Sequence, residues 1–445
     1  MLLVAAICYF LVQYPLEAAA PVKIKINGRE RDLSPPCQVR DGRIMVPLRF
    51  VVEDEALQSQ VAWDAARQQA TVYCRKQRFD FYAGNRTARL NGQAVQLDVA
   101  PYIFARRMFI PLRFFSRWTG ATVGWKDRDR TAILNFTPRP RVLAYYYGDG
   151  FAELQQRAHL LTDVVFRWYQ TDEQGRVFYE YSDTYYEHKF DEALSLARQA
   201  GLKTHAGVML MDRQKLTVLL SSPQNRQALV ENVKQMVVRQ GYDGVNIDFE
   251  FIAPEERDNF TRLVQELKTA LGPDKTVSVA VFARTGLEKW PTAYDYQALG
   301  RVCDMVVIMA YDYHYEAAGA LAPIDWCQQV LEYAEKNIPR EKILMGIGTY
   351  GYDWEGKSRK SVYQSQLDRL KAQFQAEEGF DRQACSPYLV YQDQDGHRHE
   401  VWYENRASLE EKWALYLEHG IAGISYWKLS GAFTDFYAML ESSRQ

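Results

Sequence analysis

Asp243-Gly-Val-Asn-Ile-Asp-Phe-Glu250 is the segment of this 445-residue chain that says most about its architecture. If the segment is a β-strand, its side chains alternate between two faces. One face is then apolar, and the other carries Asn246, Asp248 and Glu250. Buried polar groups are costly unless they are hydrogen-bonded, so this pattern favours a strand in the wall of a barrel. The apolar face would pack under helices, and the polar face would point into the barrel.

Short apolar runs recur from residue 142 onward and alternate with amphipathic segments. Eight buried strands joined by helical crossovers over roughly 300 residues predict an α/β fold, a (β/α)8 TIM barrel. An open, doubly wound sheet is the alternative, but no glycine-rich phosphate loop follows the first run. Glu250 closes its run, and barrel active sites lie at the C-terminal ends of the strands. The predicted strands are residues 142–147, 163–169, 203–211, 244–249, 276–282, 305–311, 343–348 and 423–427.

The segments between these runs carry helix start and stop signals. Ser222 followed by Pro223 is typical of an N-cap and a first helical position, and Gly241 is typical of a helix end. Residues 254–272 and 408–420 repeat this pattern. Between the seventh and eighth runs, residues 386–404 hold two strand-like segments around an Asp-Gly turn, which predicts a hairpin insertion beside the active face.

A different pattern precedes residue 140. Ile44-Met-Val-Pro-Leu-Arg-Phe50 and Met108-Phe-Ile-Pro-Leu-Arg-Phe114 are two copies of one motif, and a Trp-containing, β-rich segment follows each copy. Two strand–helix–hairpin units packed together predict a small N-terminal α+β repeat domain at residues 22–137. Two prolines in residues 137–141 interrupt helix and strand alike, so this stretch is a linker. The catalytic barrel is then expected at residues 140–440.

Composition excludes some classes of partner. With a net charge of −2, the chain lacks the positive electrostatic field of a nucleic-acid-binding protein, so no nucleic acid is expected as a partner. Aromatic residues make up 13% of the chain and supply flat rings on which sugar faces commonly stack. No cysteine or histidine spacing indicates zinc, and neither a metal nor a cofactor is expected. Cys37 and Cys74 could pair, but an odd number of cysteines follows residue 20. We expect a monomer.

Residues 1–20 are predicted to be an export signal. Residues 2–12 form an apolar run, and Ala18-Ala19-Ala20 offers small residues for cleavage. Because no Lys or Arg precedes Lys23, a start further upstream, a weak signal, an uncleaved anchor or a buried strand are the alternatives. The run ends short of the about 20 residues of a membrane-spanning helix. The expected location is extracellular or the cell envelope, with association with a spore as one case.

Several segments together resemble one enzyme family. Residues 243–250 resemble the DxxDxDxE motif on the fourth strand of glycoside hydrolase family 18, and three of its four fixed positions match. Met309-Ala-Tyr-Asp312 is similar to the family's sixth-strand motif, and Ile424-Ser-Tyr-Trp427 to its eighth-strand tryptophan segment. Ala144-Tyr-Tyr146 resembles the first strand. Residues 345–354 resemble the seventh strand of the spore-germination and cortex-lytic branch, and the whole resemblance covers residues 140–440.

The resemblance implies substrate-assisted retaining hydrolysis, an exception to the two-carboxylate scheme. Glu250 would protonate the glycosidic oxygen, and the substrate's own 2-acetamido carbonyl would attack the anomeric carbon. Asp248 would orient the acetamide N–H and stabilise the positive charge. Tyr311 would hydrogen-bond the acetamido group, and Trp427 would form the floor of its pocket. The remaining substrate-binding candidates are Asn246, Asp312 and Tyr145.

Asn246 stands where the chitinase motif has an aspartate. Without this like-charged neighbour, Asp248 is expected to ionise more readily. Burial and the charge of Asp248 are expected to raise the pKa of Glu250, which must be protonated to act. Asparagine here is usual in the cell-wall branch, so the resemblance favours peptidoglycan or spore cortex as the N-acetylated glycan.

Three alternatives to that reading remain. A chitinase acting on chitin oligomers is the second hypothesis. A catalytically silent carbohydrate-binding protein of the same fold is the third, although such relatives usually lose the terminal glutamate. A scaffold role is the fourth. Residues 22–137 resemble the copper amine oxidase-like N-terminal stalk domain of exported bacterial proteins. This resemblance implies a non-catalytic module that binds no copper, and it suggests contact with the cell envelope.

Overall fold

The computed structural model describes most of the chain after the predicted export signal. Residues 1–20 and most of the predicted linker lie outside the described part. Within that part, no helix combines the length and the apolarity needed to cross a membrane. The described residues are 22–52, 59–74, 77–114, 121–135, 140–148, 150–179, 184–431 and 433–444.

Eight parallel strands close into a barrel, which confirms the predicted (β/α)8 architecture. The first strand pairs with the second on one side and with the eighth on the other, so the barrel has no open edge. A short strand, Val177–Tyr179, adds antiparallel to the second. In chain order the barrel strands are Arg141–Tyr146, Asp163–Thr171, Lys203–Leu210, Gly244–Phe249, Thr276–Phe282, Met305–Met309, Ile343–Gly348 and Gly423–Leu429.

Helices follow every barrel strand and cover the outside of the barrel. Ser222 accepts a hydrogen bond from the N–H of Asn225, and the helix ends at Gly241 with a φ of 70°, as its cap residues predict. The described helices of this domain are Phe151–Arg157, Thr184–Gln199, Arg213–Ser221, Pro223–Gln240, Arg257–Leu271, Tyr296–Val302, Ile324–Asn337, Gln364–Gln373, Arg406–His419 and Thr434–Arg444, with 3-10 turns at Ala158–Leu160, Pro254–Glu256 and Arg340–Lys342.

One predicted helix cap is wrong by three residues. Ser408 is expected to be the N-cap, but the N-cap is Asn405 and the helix begins at Arg406. The Asn405 side chain accepts the N–H of Ser408, and the Ser408 hydroxyl accepts the N–H of Asn405. This reciprocal pair is a capping box, in which Ser408 is the third helical residue and not the cap.

A five-stranded antiparallel sheet is inserted between the seventh and eighth barrel strands. The two strand-like segments predicted at residues 386–404 pair with each other inside this larger sheet. We call it the insertion sheet. Its strands, in spatial order, are Ser358–Val362, Gly351–Glu355, Arg398–Trp402, Ser386–Gln392 and Glu377–Asp381.

Asp163 joins the starts of three barrel strands at the end remote from the C-terminal face. It is fully buried and accepts hydrogen bonds from Arg141 Nη1 at 2.8 Å and Thr162 Oγ1 at 2.7 Å. His205 Nε2 lies 3.0 Å from Asp163 Oδ1, the oxygen that also accepts from Arg141 at 2.8 Å. Burial acts to raise the pKa of Asp163, but the hydrogen bond and charge of His205 and the charge of Arg141 hold it below its usual value.

Replacing Asp163 with alanine is expected to lower the free energy of unfolding by about 3 kcal/mol. The reason is that removing one member of a buried ionic cluster leaves its partners desolvated and unpaired. Urea denaturation followed by tryptophan fluorescence measures this loss. Asp274→Ala, at an exposed turn, is the matched control. A loss for Asp163→Ala of only about 0.5 kcal/mol, as for a surface change, would contradict the role given to it.

Three sheets form the N-terminal domain, which is β-rich and has a main core and a smaller buried cluster around Phe109. Its described helix is the short segment Leu48–Val52. Cys37 is buried and free, and the side chain of Cys74, the partner that the sequence allows, lies outside the described part of the chain. In spatial order the sheets contain Thr122–Lys126, Thr131–Asn135, Lys23–Ile26 and Arg29–Arg31; Tyr102–Phe104, Arg107–Pro111, Arg43–Pro47 and Gln38–Arg40; and Gln60–Asp64, Gln69–Cys74, Gln77–Tyr82, Thr87–Leu90 and Gln93–Gln96.

The two motif copies pair with each other. Strand Arg43–Pro47 runs antiparallel to Arg107–Pro111, and Val46 lies opposite Ile110. These two residues hold the same position in their motif copies. A local two-fold axis therefore relates the copies at this point, which is the arrangement expected when one repeated unit buries its apolar face against the other.

The N-terminal domain packs against the barrel helix Arg406–His419. Glu418 near the end of this helix accepts hydrogen bonds from Lys25 and Lys126. Asn135 Nδ2 donates to a backbone carbonyl of the same helix at 3.3 Å. These contacts place the domain on the outer wall of the barrel.

Candidate active site

The polar row of the fourth barrel strand points into the barrel. Asn246 is fully buried, Asp248 is 5% exposed and Glu250 is half-buried just past the end of the strand. Tyr145 on the first strand donates its hydroxyl hydrogen to Asn246 Oδ1 at 3.1 Å. Asn246 Nδ2 donates to Ser278 Oγ on the fifth strand at 2.9 Å. Both the oxygen and the nitrogen of the amide are therefore hydrogen-bonded. Asn246 and Tyr145 form a fixed layer of side chains beneath the two carboxyl groups.

Asp248 lies one layer above Asn246, closer to the C-terminal face of the barrel. Arg167 Nε from the second strand lies 3.8 Å from Asp248 Oδ2, and both side chains are almost fully buried. Burial raises the pKa of Asp248, and the positive charge of Arg167 opposes this effect. The prediction that Asp248 ionises more readily rests on the presence of Asn246 in place of an aspartate. It leaves out the burial of the Asp248 carboxyl group. Asp248 Oδ1 is buried and has no hydrogen-bond partner among the described residues, so it can accept a substrate N–H.

Glu250 is held at the C-terminal face by its backbone. Its N–H donates to Leu210 O at 3.1 Å, and Tyr294 donates its hydroxyl hydrogen to Phe249 O at 2.7 Å. Burial, and after it the charge of Asp248, raise the pKa of Glu250 to about 8 against the opposing charge of Arg167. The carboxyl group is therefore protonated at neutral pH, as a general acid must be.

Tyr311 and Asp312 follow the sixth strand, which ends at Met309 and not at residue 311 as predicted. Asp312 has a φ of 60°, so the chain turns sharply at the motif. Its Oδ1 accepts hydrogen bonds from Tyr350 at 2.6 Å and Tyr352 at 2.9 Å. Burial raises the pKa of Asp312, and these two hydrogen bonds oppose the rise. The insertion sheet, to which Tyr352 belongs, thus fixes Asp312.

A glycine leaves room for the ring of Tyr311. A Cβ atom at Gly346 on the seventh strand would lie 3.0 Å from Tyr311 Cε1 and 2.7 Å from Ile308 O. Any larger side chain would displace the ring from the barrel mouth. This close approach explains why the seventh strand carries glycine at an inward position.

Trp427 at the end of the eighth strand forms an aromatic group with its neighbours. Its ring centroid lies 5.9 Å from that of Tyr145 and 5.5 Å from that of Tyr147. The guanidinium carbon of Arg167 lies 5.2 Å from the Trp427 centroid. Such a flat, partly exposed surface beside buried acids can support the apolar face of a sugar ring.

Further apolar side chains surround this face. They follow the C-terminal ends of barrel strands three to six, and each is at least one-third exposed. The guanidinium carbon of Arg284 lies 4.4 Å from the ring centroid of Trp290 and packs against this ring. Exposed rings at a barrel mouth provide stacking surfaces for successive sugars. The residues are Met211, Phe251, Leu287, Trp290, Tyr313 and Tyr315.

All seven residues predicted for the site are thus gathered at one end of the barrel, whereas several of their partners were missed. Arg167 gave a signal: it is a charged residue within the apolar run at residues 164–169, in the same alternation as the inward-facing Val165. Ser278 on the fifth strand could have been found in the same way. Tyr350 and Tyr352 gave none, because their contact with Asp312 depends on how the insertion sheet folds back.

Asp243 begins the turn into the fourth strand and does not reach this site. Its carboxylate accepts hydrogen bonds from Thr204 N at 2.9 Å and Lys203 Nζ at 3.1 Å. Among the described residues, no group of three or more His, Cys, Asp or Glu side chains is arranged to hold a metal ion. The chemistry available here is that of two buried carboxyl groups, a tyrosine hydroxyl and a tryptophan floor.

The closed (β/α)8 barrel carries a glutamic acid with a raised pKa next to a buried aspartate at its C-terminal face. This arrangement is that of a glycoside hydrolase of the TIM-barrel class. Residues 141–432 match the sequence model of glycosyl hydrolases family 18, and residues 25–134 match that of the copper amine oxidase N-terminal domain. The first match spans well over half of the chain. The protein therefore belongs to glycosyl hydrolases family 18.

Relatives of two kinds are similar to this chain. A cortical fragment-lytic enzyme of Bacillus anthracis is 32% identical over 235 residues, which are 50% of this chain and 55% of that protein. The chain thus spans about half the length of the curated relatives it matches. The spore cortex-lytic enzyme SleL of Bacillus cereus has a TM-score of 0.62 and 25% identity, covering 69% of this chain and 74% of SleL. A chitinase of Chromobacterium violaceum has a TM-score of 0.64 and 28% identity, covering 68% and 99%.

The pH dependence of hydrolysis should follow Glu250. With Glu250 as the general acid, kcat/KM is expected to fall as the pH rises through about 8, the pKa of Glu250. The charge of Asp248 contributes to that pKa, so Asp248→Asn should move the alkaline limb to lower pH. Initial rates on a chito-oligosaccharide from pH 5 to 10 provide the measurement. An alkaline limb at the same pH in both proteins would show that Asp248 does not act on Glu250.

Proposed function

We propose that this protein hydrolyses β-1,4-linked glycans that contain N-acetylglucosamine, namely peptidoglycan or spore cortex, by a substrate-assisted retaining mechanism. The observation that carries the proposal is a half-buried Glu250, whose pKa is raised to about 8, next to a buried Asp248 whose Oδ1 has no hydrogen-bond partner among the described residues. Tyr311 and Trp427 complete the pocket around them.

The proposed reaction begins with a sugar lying on Trp427 and its glycosidic oxygen at Glu250. Glu250 transfers its proton to this oxygen as the bond to the anomeric carbon breaks, which releases the reducing-side glycan. The 2-acetamido carbonyl oxygen attacks the anomeric carbon and forms an oxazolinium ion. Asp248 accepts the acetamide N–H and stabilises the positive charge, and Tyr311 hydrogen-bonds the acetamido group. Water, deprotonated by Glu250, then opens the ring with overall retention.

The positions of the carboxyl groups support participation of the substrate. Asp248 lies in the fourth strand and Glu250 follows the end of that strand two residues later, so both acids lie on the same wall of the barrel. A two-carboxylate retaining enzyme needs its acids on either side of the bond. The third acid, Asp312, is engaged by two tyrosine hydroxyls. The acetamido group is then the nucleophile that remains.

The relatives favour peptidoglycan, and one observation favours a second substrate. A cortical fragment-lytic enzyme and a spore cortex-lytic enzyme are similar to this chain. A chitinase is also similar, at 28% identity. Hydrolysis of chitin oligomers is therefore the second candidate function.

The proposal includes export and a monomeric state. Peptidoglycan lies outside the cytoplasmic membrane, and residues 2–12 have the apolarity of a signal. The proposal also gives the N-terminal domain, which packs on the barrel helix Arg406–His419, the role of contacting the cell envelope.

Digestion of purified peptidoglycan, spore cortex and chitin oligomers tests the proposal. Borohydride reduction before mass spectrometry identifies the sugar at each new reducing end. We expect new N-acetylglucosamine ends from peptidoglycan or cortex, released faster than ends from chitin. Cleavage of chitin oligomers alone would establish the second candidate. Absence of new reducing ends from all three substrates would overturn both.

A further inference from the structure

The two motif copies of the N-terminal domain build two equivalent grooves. Each groove is lined by the strand hairpin of one copy together with the tryptophan segment of the other copy. The two hairpins match in their turns, where Gly42 has a φ of 69° and Arg106 one of 62°. We call them the Trp63 groove, lined by Leu48, Val61 and Trp63, and the Trp125 groove, lined by the matching Leu112, Val123 and Trp125.

The Trp125 groove is closed on one side by the chain's own barrel. This wall consists of Glu410, Trp413 and Met439, from the last two helices of the barrel domain. The contact is close, because a Cβ atom at Gly124 would lie 3.2 Å from the Cα atom of Ala414. A groove of the repeat unit, bounded by a tryptophan and a hairpin, therefore serves in this chain as a surface that binds helices.

The Trp63 groove is open in contrast. It has a volume of about 430 Å³, and the described residues that line it all belong to the N-terminal domain. Trp63 and Ile103 are each 43% exposed. Arg106 and Arg107 of the hairpin are also exposed, and no acidic residue is found among the described lining residues. Exposed apolar surface with basic neighbours favours a partner that brings apolar and acidic side chains.

We propose that the Trp63 groove binds an amphipathic helix of a second protein, as the Trp125 groove binds the helix Arg406–His419. The partner helix lays its apolar face into the groove and presents an acid to Arg107. These are the kinds of side chain that Trp413 and Glu410 bring to the other groove. The inference goes beyond the proposed function and does not depend on hydrolysis. It makes the N-terminal domain an adaptor between the barrel and a partner.

Two observations narrow the choice of partner. The matching helix face of a second copy is covered by that copy's own N-terminal domain, so a second copy does not supply the helix. Ala62 stands where the second motif copy has Gly124. Its methyl group keeps a helix further out than Ala414 lies from Gly124, unless the partner has glycine at the crossing point. The partner is therefore a different protein with its own fit to this groove.

A labelled peptide of residues 405–419 is the probe, because it carries a helix face that fills the Trp125 groove. A hydrocarbon staple between positions 412 and 416, which are buried against the barrel, keeps this short segment helical. Fluorescence anisotropy with the full-length protein should show binding that Trp63→Ala weakens about tenfold or more. Arg107→Glu should weaken it in a salt-dependent way. Tyr73→Ala and Arg29→Glu, at exposed positions outside the groove, should bind as the wild type does.

Ala62→Gly should bind the peptide more tightly than the wild type, because it makes the Trp63 groove like the one that already holds this helix. Absence of binding in both proteins, or binding that persists in Trp63→Ala and Arg107→Glu, overturns the inference. A dimer in sedimentation velocity that Trp63→Ala dissociates overturns it in favour of a second copy. Peptidoglycan fragments that bind the wild type but not Trp63→Ala overturn it in favour of a glycan. Because no readout uses hydrolysis, failure of the proposed function is a separate result.

Discussion

Glu250→Gln is expected to lower kcat by about 10³- to 10⁴-fold while oligosaccharide binding persists. Glutamine has nearly the shape of glutamic acid but cannot donate a proton to the glycosidic oxygen. Trp427, Tyr311 and Asp248, which contact the sugar in the proposed reaction, are unchanged. Steady-state kinetics on a chito-oligosaccharide and on solubilised peptidoglycan, together with isothermal titration calorimetry, measure the two effects separately.

A leaving group that needs no proton sharpens this test. For a 4-methylumbelliferyl glycoside, whose phenolate leaves unaided, Glu250→Gln should retain far more of the bond-breaking rate than for a natural sugar. Glu255→Gln, five residues further on and exposed, is the control and should match the wild type. Equal loss of activity on both substrates would show that Glu250 does not act as the acid.

Asp248→Asn is expected to lower kcat by about 10²- to 10³-fold, the effect of removing one preorganised electrostatic contact to a transition state. The asparagine amide can still hydrogen-bond, but it carries no charge to stabilise the oxazolinium ion. The loss should therefore be similar for natural and activated substrates, unlike that of Glu250→Gln. The same two kinetic assays measure it.

The control for this variant is Asp258→Asn, on the exposed side of the next helix. Asp248→Asn with wild-type kcat on both substrates would remove Asp248 from the mechanism. Rescue of Asp248→Asn by the activated leaving group would mean that Asp248 assists proton transfer and not the cationic intermediate.

The fourth strand shows which features of the fold can be predicted from the sequence. The alternation of apolar and polar residues at 244–249 predicts its two faces, and the structure buries Val245, Ile247 and Phe249 on one and Asn246 and Asp248 on the other. Local patterns of this kind also predict the other barrel strands, because each strand must bury one face beneath helices. Such patterns do not show how far burial shifts the pKa of a carboxyl group. The raised pKa of Asp248 could therefore not be predicted from the alternation of residues.

Contacts made between distant segments could not be predicted in the same way. Asp312 is bound by Tyr350 and Tyr352, about forty residues later, and only the folding of the insertion sheet brings them together. Lys428 is adjacent to Trp427 in sequence, but the tyrosines on either side of it come from the first strand and from beyond the seventh. Side chains that meet across a barrel mouth share no periodicity that a single sequence displays.

Participation of the substrate's acetamido group is tested most directly with two chito-oligosaccharides that differ only in the acetyl group of the sugar cleaved. Their initial rates of hydrolysis by the wild-type protein, followed by proton NMR, also give the anomer first formed. The acetylated oligomer should be cleaved to the β-anomer, and the deacetylated one should not be cleaved at a measurable rate. Comparable hydrolysis of both, or initial release of the α-anomer, would contradict the mechanism.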